Sequence, residues 1–248
     1  MWDRPQVLVA IADLLTVGAV VALGLAGVIW IARLPVFPLR EMVLANEPVR
    51  VTRAQLEYAV RLGAEGNFFT VSLDRVRAAL ERLPWVRRAE VRRVWPGRLE
   101  VRLEEHRARA RWRDPDAESL LVNKEGEVFA AAYADALPLL NGPEGTAALM
   151  LKRYDEFSAI LRPLGRSIRR MDLSTRQAWR VQLDDGLNID LGRDQPKAPL
   201  ADRLARFAGV RDQVVDKLGP GIAYVDLRYP NGFAARVAGG APVRNKEK

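Results

Sequence analysis

Across residues 14–32 the chain carries no charge, and only Thr16, Gly18, Gly24 and Gly27 interrupt an otherwise apolar run. At about 1.5 Å of rise per residue a helix of this length reaches roughly 28 Å, close to the ~30 Å hydrocarbon core of a bilayer. The pattern predicts a transmembrane helix over residues 11–33 behind a short tail, residues 1–10. Asp13 and Arg33 bracket the run, Trp2 and Trp30 suit the headgroup belt, and Pro35 and Pro38 end the helix. Two readings compete. A buried soluble helix would show polar positions every few residues. A cleaved signal peptide would have a shorter apolar stretch with a small-x-small site at its polar end. Here Ala22-Leu23-Gly24 lies inside the run and Arg33-Leu34-Pro35 follows it, which favours the anchor. Arg4 and the terminal amine face Arg33 and Arg40 across the span, so charge bias does not set the orientation.

Beyond the span the pattern changes to short amphipathic elements. Residues 38–44 read as a strand. Thr52 caps a helix with Ala54, Leu56, Ala59, Val60 and Leu62 apolar and Gly63 at its end. Ser72 caps a second helix over residues 73–83, where Leu73, Val76, Leu80 and Leu83 form one stripe and Pro84 closes it. Residues 86–94 and 98–104 read as strands joined by Trp95-Pro96-Gly97. In the second of these, Leu99, Val101 and Leu103 alternate with charged residues, so one face is buried. The order β-α-α-β-β over residues 37–107 predicts a helix pair packed on a small three-stranded sheet.

Residues 108–238 have a different rhythm. Residues 107–112 and 120–130 are strand-like, the latter turning at Lys124-Glu125-Gly126, and residues 137–142 form a short apolar segment. A helix is predicted over residues 146–161, strands over 168–173, 179–183 and 187–191, and a helix over 200–218. Asp184-Asp185-Gly186 is a hairpin turn. Residues 224–237 give the final strands, and residues 239–248 read as a flexible polar tail. The fold class expected is α+β: one transmembrane helix, a small α/β unit, then a mixed, mostly antiparallel β-domain with helices.

Composition narrows the chemistry. The 248 residues include no Cys and one His, with a net charge of +8. Absent cysteines remove disulfides, thiolate zinc sites, iron–sulfur clusters and cysteine nucleophiles together. His106 lies between Glu105 and Arg107, and the chain holds no G-x-S-x-G and no second His. Glu104 and Glu105 are neighbours on a strand and point to opposite faces, while Asp184 and Asp185 precede a turn glycine. No phosphate loop or dinucleotide fingerprint occurs. The expectation is a chain that is not an enzyme and takes no metal or cofactor. Arg87, Arg88, Arg92, Arg93, Arg98 and Arg102 with Trp85 and Trp95 raise the question of nucleic acid. The positive excess is split evenly between residues 37–107 and 108–248 and interleaved with acids, so a solvated strand face or a surface near anionic lipid explains the same residues.

The final strands carry the sharpest binding hypothesis. In residues 224–229, Val225, Leu227 and Tyr229 share one face and Tyr224, Asp226 and Arg228 the other. Pro230 lacks an N–H and Asn231-Gly232 allow positive φ, so the ladder bends there before residues 233–237 resume. If the last strand lies at a sheet edge, its backbone can accept a partner strand. The competing reading is an internal hairpin that completes the core.

Four stretches in this order resemble the FtsQ/DivIB family of bacterial cell-division proteins. They are FFTVSLDRVRAALERLPWVRRAEVRRVWPGRLEVRLEEHRARARW, DLSTRQAWRVQLDDGLNIDLGR, RLARF and AYVDLRYPNGFA. The resemblance covers nearly the whole chain. It implies that residues 37–107 are a POTRA domain and residues 108–238 an FtsQ-type β-domain. It also implies a single-pass inner-membrane protein with a cytoplasmic N-terminus and a periplasmic C-terminal bulk at the division septum. Family members usually carry a longer basic cytoplasmic tail than residues 1–10. The family's partners are FtsB and FtsL, bound by the β-domain, and other divisome proteins reached through the POTRA domain and the span. By the resemblance, Tyr229, Asn231, Gly232 and Phe233 lie at the contact. Arg176 is a candidate anchor for an anionic residue, with Trp179 as a neighbouring packing residue, and an ordinary loop charge is the equal alternative for Arg176. The runner-up functions are a POTRA-bearing outer-membrane assembly or transport factor and a membrane-tethered hydrolase.

Overall fold

The computed structural model describes residues 5–114, 117–219, 221–229, 232–237 and 243–246. The chain divides into two units, residues 1–105 and 106–248.

The first unit opens with α1 (Pro5–Arg33). Its segment Val9–Arg33 is the one described helix long and apolar enough to cross a membrane. Leu14, Leu15, Leu23 and Trp30 stand exposed along it, so among the described residues nothing covers these side chains. Next come β1 (Glu41–Leu44), α2 (Arg53–Gly63), α3 (Leu73–Glu81), β2 (Val86–Val94) and β3 (Arg98–Glu105). The sheet order is β1-β3-β2, with β1 parallel and β2 antiparallel to β3. Thr52 and Gln55 form a capping box at the start of α2, and the Ser72 side chain accepts from the Arg75 N–H at the start of α3. Where α2 passes α3 there is no room for a side chain: a Cβ on Gly63 would lie 2.8 Å from the Val76 Cα. Leu56, Val76, Leu80, Leu99 and Val101 fill the space between helices and sheet.

The second unit is one ten-stranded sheet with two helices. Its elements are β4 (Ala108–Asp114), β5 (Ala117–Asn123), β6 (Val128–Ala130), β7 (Leu139–Asn141), α4 (Ala147–Leu161), β8 (Ile168–Leu173), β9 (Trp179–Leu183), β10 (Asn188–Gly192), α5 (Leu200–Leu218), β11 (Ile222–Asp226), β12 (Gly232–Val237) and β13 (Val243–Lys246). The strand order is β13-β12-β11-β10-β9-β8-β7-β4-β5-β6. Parallel neighbours need long crossovers, and the two helices supply them: α4 joins β7 to β8, and α5 joins β10 to β11. The helices touch each other, so both lie on the same side of the sheet. Phe157, Leu161, Leu204 and Phe207 press from them onto Met171, Val181 and Ile189. The α+β class expected from the sequence holds.

One expectation is corrected. Residues 243–246 of the expected flexible tail form β13, which pairs antiparallel with β12 from Gly232↔Lys246 to Ala235↔Val243. The reason is backbone demand: β12 otherwise ends the sheet with a row of unpaired N–H and C=O groups, and the nearest extended chain supplies partners. Residues 239–242 and 247–248 of that tail, and residues 1–4, lie outside the described residues.

Candidate partner-binding edge

The far end of the sheet is built by local pairing rules. β11 runs parallel to β10, with Ile189↔Val225 and Asp190↔Asp226 in register, and the Leu227 N–H extends the ladder to the Asp190 carbonyl at 2.8 Å. Val225 and Leu227 point into the core. On the opposite face Asp226 is buried, and the Arg228 guanidinium grips it with Nε to Oδ1 at 2.8 Å and Nη2 to Oδ2 at 2.6 Å. The Arg228 N–H also donates to Oδ1 at 3.0 Å. Burial pushes the Asp226 carboxyl up, but these bonds and the Arg228 charge outweigh burial and hold it below the usual carboxylate range. The same contacts raise Arg228. Beside them burial, then the Asp190 and Asp226 charges, push the Tyr224 phenol up, and Arg236 lies over its ring at 5.2 Å. Gly192 leaves the space that Arg228 uses: a Cβ there would meet the Arg228 Cγ at 2.7 Å, and its φ of 68° is one that glycine adopts freely.

The predicted residues fall into three groups. Tyr229 is 42% exposed in the bend after β11, and Gly232 opens β12 opposite Lys246. Phe233 is buried, its ring edge-on to Phe207 of α5 at 5.6 Å, so only its backbone faces the β13 side. Asn231 lies outside the described residues. Arg176 is exposed in the β8–β9 turn, which Ser174 closes by accepting the Gln177 and Ala178 N–H groups. This turn and the residues after β11 occupy the same end of the sheet, because Leu173↔Trp179, Trp179↔Gly192 and Asp190↔Asp226 chain them together. At ~4.8 Å per strand, the two turns are two to three strand spacings apart, roughly 10–14 Å. Trp179 is not a surface neighbour of either: it is 4% exposed and packs against Phe157. The large indole on the apolar side of a central strand belongs to the core.

Sequence reasoning missed the residue that fixes this end. Arg203 of α5 is 3% exposed. Its Nη1 donates to the Leu191 carbonyl at 2.7 Å and the Leu227 carbonyl at 3.2 Å, and its Nη2 to the Arg193 carbonyl at 2.5 Å. One planar cation thus ties the ends of β10 and β11 to the helix between them. The signal was present in the RLARF stretch: Leu200, Arg203, Leu204 and Phe207 follow i, i+3, i+4, i+7 spacing, which sets Arg203 on the buried stripe.

The other candidate chemistry is engaged structurally. His106 stacks on Phe129 at 4.1 Å, and its Nδ1 meets the Asn123 amide at 2.9 Å. Glu105 accepts the Val49, Arg50 and Val51 N–H groups, and Glu104 pairs with Arg87. Asp184 accepts from Ser167, while Asp185 faces Arg166 and Arg211. Arg92 pairs with Glu100 and Arg98 with Glu41, so carboxylates answer the basic strand face. Among the described residues no group of three or more His, Cys, Asp or Glu side chains is placed to hold a metal.

An apolar helix, a three-stranded unit with a helix pair and a long mixed sheet ending in a paired edge define a tethered two-unit protein of the POTRA-plus-β-domain class. Residues 37–106 match the FtsQ-type POTRA domain, and residues 110–228 match the family described as cell division protein FtsQ/DivIB, C-terminal. The chain is 39% identical over 242 residues to the cell division protein FtsQ of Nitrosospira multiformis, covering 95% of this chain and 99% of that one. It is 38% identical to FtsQ of Burkholderia pseudomallei, with 96% and 95% covered, and 32% identical to FtsQ of Neisseria gonorrhoeae over the full length of both. The chain belongs to the FtsQ family of cell division proteins.

Proposed function

We propose that this chain is a non-enzymatic divisome scaffold that binds FtsB and FtsL through the β12 end of its long sheet and links early division proteins to septal peptidoglycan synthesis. In this reading α1 anchors it in the inner membrane, and both folded units stand in the periplasm. The observation that carries the binding mode is β12 itself. It ends the core-packed part of the sheet, and a strand of only four residues, β13, holds the position an added strand would take. A partner strand displaces β13 and pairs along β12. Tyr229 and Gly232 border it, the Phe233 backbone contributes to the ladder, Arg176 receives an acidic partner residue at the same end of the sheet, and Asn231 is kept as a contact residue on the family resemblance alone. The POTRA unit aids recruitment to the septum. A cleft of about 620 Å³ lined by Leu39, Met42, Arg53, Glu57 and Arg61 is its candidate surface.

The test is binding of FtsB to the full chain in detergent. Tyr229→Ala and Gly232→Asp are expected to weaken it while leaving the far-ultraviolet circular dichroism unchanged. Affinity untouched by both substitutions would overturn the edge-strand reading, and failure of FtsB and FtsL to co-purify with the chain from solubilised membranes would overturn the partner assignment.

A further inference from the structure

The helix α1 does not simply hand over to a loose linker. Asn67 is 7% exposed, and its side-chain amide donates to both the Ala32 and Leu34 carbonyls at 2.8 Å. These are carbonyls at the C-terminal end of α1, which have no partner within the helix. The Asn67 Oδ1 accepts the Phe69 N–H, the Thr70 N–H and the Thr70 hydroxyl, each at 3.0 Å. The Phe68 N–H then donates to the Phe37 carbonyl at 2.9 Å. One side chain clips the Phe68–Thr70 turn to the end of the apolar helix.

This clip holds an apolar surface at a defined height. Phe37, Phe68, Phe69 and Trp95 form one ring cluster, with centroids 5.0 Å apart for Phe37–Phe69, 5.7 Å for Phe68–Trp95 and 6.4 Å for Phe69–Trp95. Its outer side faces solvent: Val36 is 68% exposed, Trp95 64% and Phe69 45%. The three segments that build it, residues 32–40, 66–71 and 92–98, contain five arginines besides the apolar residues, among them Arg33, Arg40 and Arg93, and no carboxylate. Arg93 braces the cluster by donating to the Val71 carbonyl at 2.6 Å.

Given α1 as a bilayer span, we propose that the Val36–Phe69–Trp95 face seats in the lipid headgroup layer of the membrane that α1 crosses. The depth follows from the clip. The headgroup region is about 5–7 Å thick on each side, and Phe69 is held close to the helix end by two linked hydrogen bonds, its N–H to the Asn67 Oδ1 at 3.0 Å and the Asn67 amide to the Ala32 carbonyl at 2.8 Å. Trp95 is in ring contact with Phe69 and reaches the same level. Aromatic rings prefer this layer, and Arg33, Arg40 and Arg93, for which no ion pair is seen among the described residues, complement anionic headgroups, whereas Arg92 and Arg98 are paired with Glu100 and Glu41. The bilayer is the occupant because the patch is fastened to the span and meets that surface permanently.

The chain has no cysteine, so single cysteines can carry nitroxide labels without a background. Labels at Leu23→Cys, Tyr58→Cys, Phe69→Cys and Trp95→Cys in the full chain, reconstituted in phosphatidylcholine–phosphatidylglycerol vesicles, are read by their relative accessibility to oxygen and to a water-soluble nickel chelate. The expected result is a hydrocarbon ratio at Leu23, an aqueous ratio at Tyr58 on the exposed side of α2, and interfacial ratios several-fold above Tyr58 at both Phe69 and Trp95. Aqueous ratios at Phe69 and Trp95 with Leu23 still buried would overturn the seat alone. An aqueous Leu23 would overturn the span and the seat with it. In the Val36→Ser/Trp95→Ser background the label at Phe69 is expected to become aqueous. A label that stays interfacial there would show that the tether sets the height without the patch and would also overturn the proposal.

Discussion

Arg203→Met keeps most of the length and apolar stem of the side chain and removes only the guanidinium. In the native unit that group serves three carbonyls, those of Leu191, Leu227 and Arg193, from a position 3% exposed. Hydrogen bonds from a charged donor are worth about 1.5–3 kcal/mol each, and a buried carbonyl left without a donor costs about 1–3 kcal/mol. Against this stands relief from burying a cation, several kcal/mol in a real protein. Its Nε has no partner among the described residues, so the native burial is not fully compensated. The balance is a net loss of about 2–4 kcal/mol. For a unit of this size that lowers the melting temperature by roughly 5–15 °C. Arg203→Lys retains the charge but offers one point donor where three carbonyls diverge, so it should fall between wild type and Met.

The local effect separates this account from simple core damage. The Leu227 carbonyl directly precedes Arg228 and Tyr229, so the bend after β11 loses its hold on α5 when the guanidinium goes. Thermal melts of the full chain in detergent, hydrogen exchange over residues 224–229 and FtsB binding form the assay. The expected outcome is a lower melt, faster exchange in that bend, and weaker FtsB binding. A melting temperature unchanged within error, with exchange in the bend as slow as in wild type, would refute the claim that Arg203 organises this end of the sheet.

Three further outcomes are expected. Glu105→Ala leaves the Val49, Arg50 and Val51 N–H groups without their carboxylate; since the site is partly exposed, denaturant titration should show a loss of about 1–3 kcal/mol in the first unit. The folded Asp226 carboxyl lies below its unfolded value of about 3.9, so the unfolded chain takes up the proton first as pH falls. The stabilisation is therefore complete above about pH 5 and disappears as pH drops through the depressed native value, and Asp226→Asn should show a shallower fall in melting temperature between about pH 5 and pH 3. Asp172, held low against burial by Arg170 and Asn141, keeps that slope from vanishing. Removing residues 239–248 deletes β13, and titration calorimetry should then find FtsB binding tightened several-fold; unchanged or weaker binding counts against displacement.

Local signals carried most of the architecture. The alternation of Leu99, Val101 and Leu103 with charges placed β3 and its buried face, and Thr52 and Ser72 marked helix starts, because caps and pleats are decided by neighbours in sequence. What escaped is decided by distant partners. Asn67 carries no local signal of its role, because its amide is defined by carbonyls 33 and 35 residues away. Trp179 could have faced either way, and only α4, through Phe157, decides that it points inward. Arg203 was readable from its stripe but was passed over because arginine is usually a surface residue. The candidate edge was partly legible: the strands on either side of Pro230 were located, whereas β13 carries no apolar alternation in VRNK and could not be told from a tail.

That short strand also shows how the sheet can present an edge without being sticky. Four antiparallel residue pairs add about 0.5–1.5 kcal/mol per hydrogen bond, and ordering four residues opposes this by about 1–2 kcal/mol each. The two nearly cancel, and the tether of residues 238–242 tips the balance by keeping the segment at an effective concentration in the millimolar range. Such a cover satisfies the β12 backbone against chance strand pairing, which is the hazard of any open edge. On the proposed reading it yields to a competitor that makes more than four pairs or adds side-chain contacts at Tyr229 and Arg176, because each added pair favours the longer strand. If the proposed strand addition holds, specificity lies in the residues at the end of the sheet that Arg203 holds in place, and the main-chain ladder supplies affinity to whichever strand fits them.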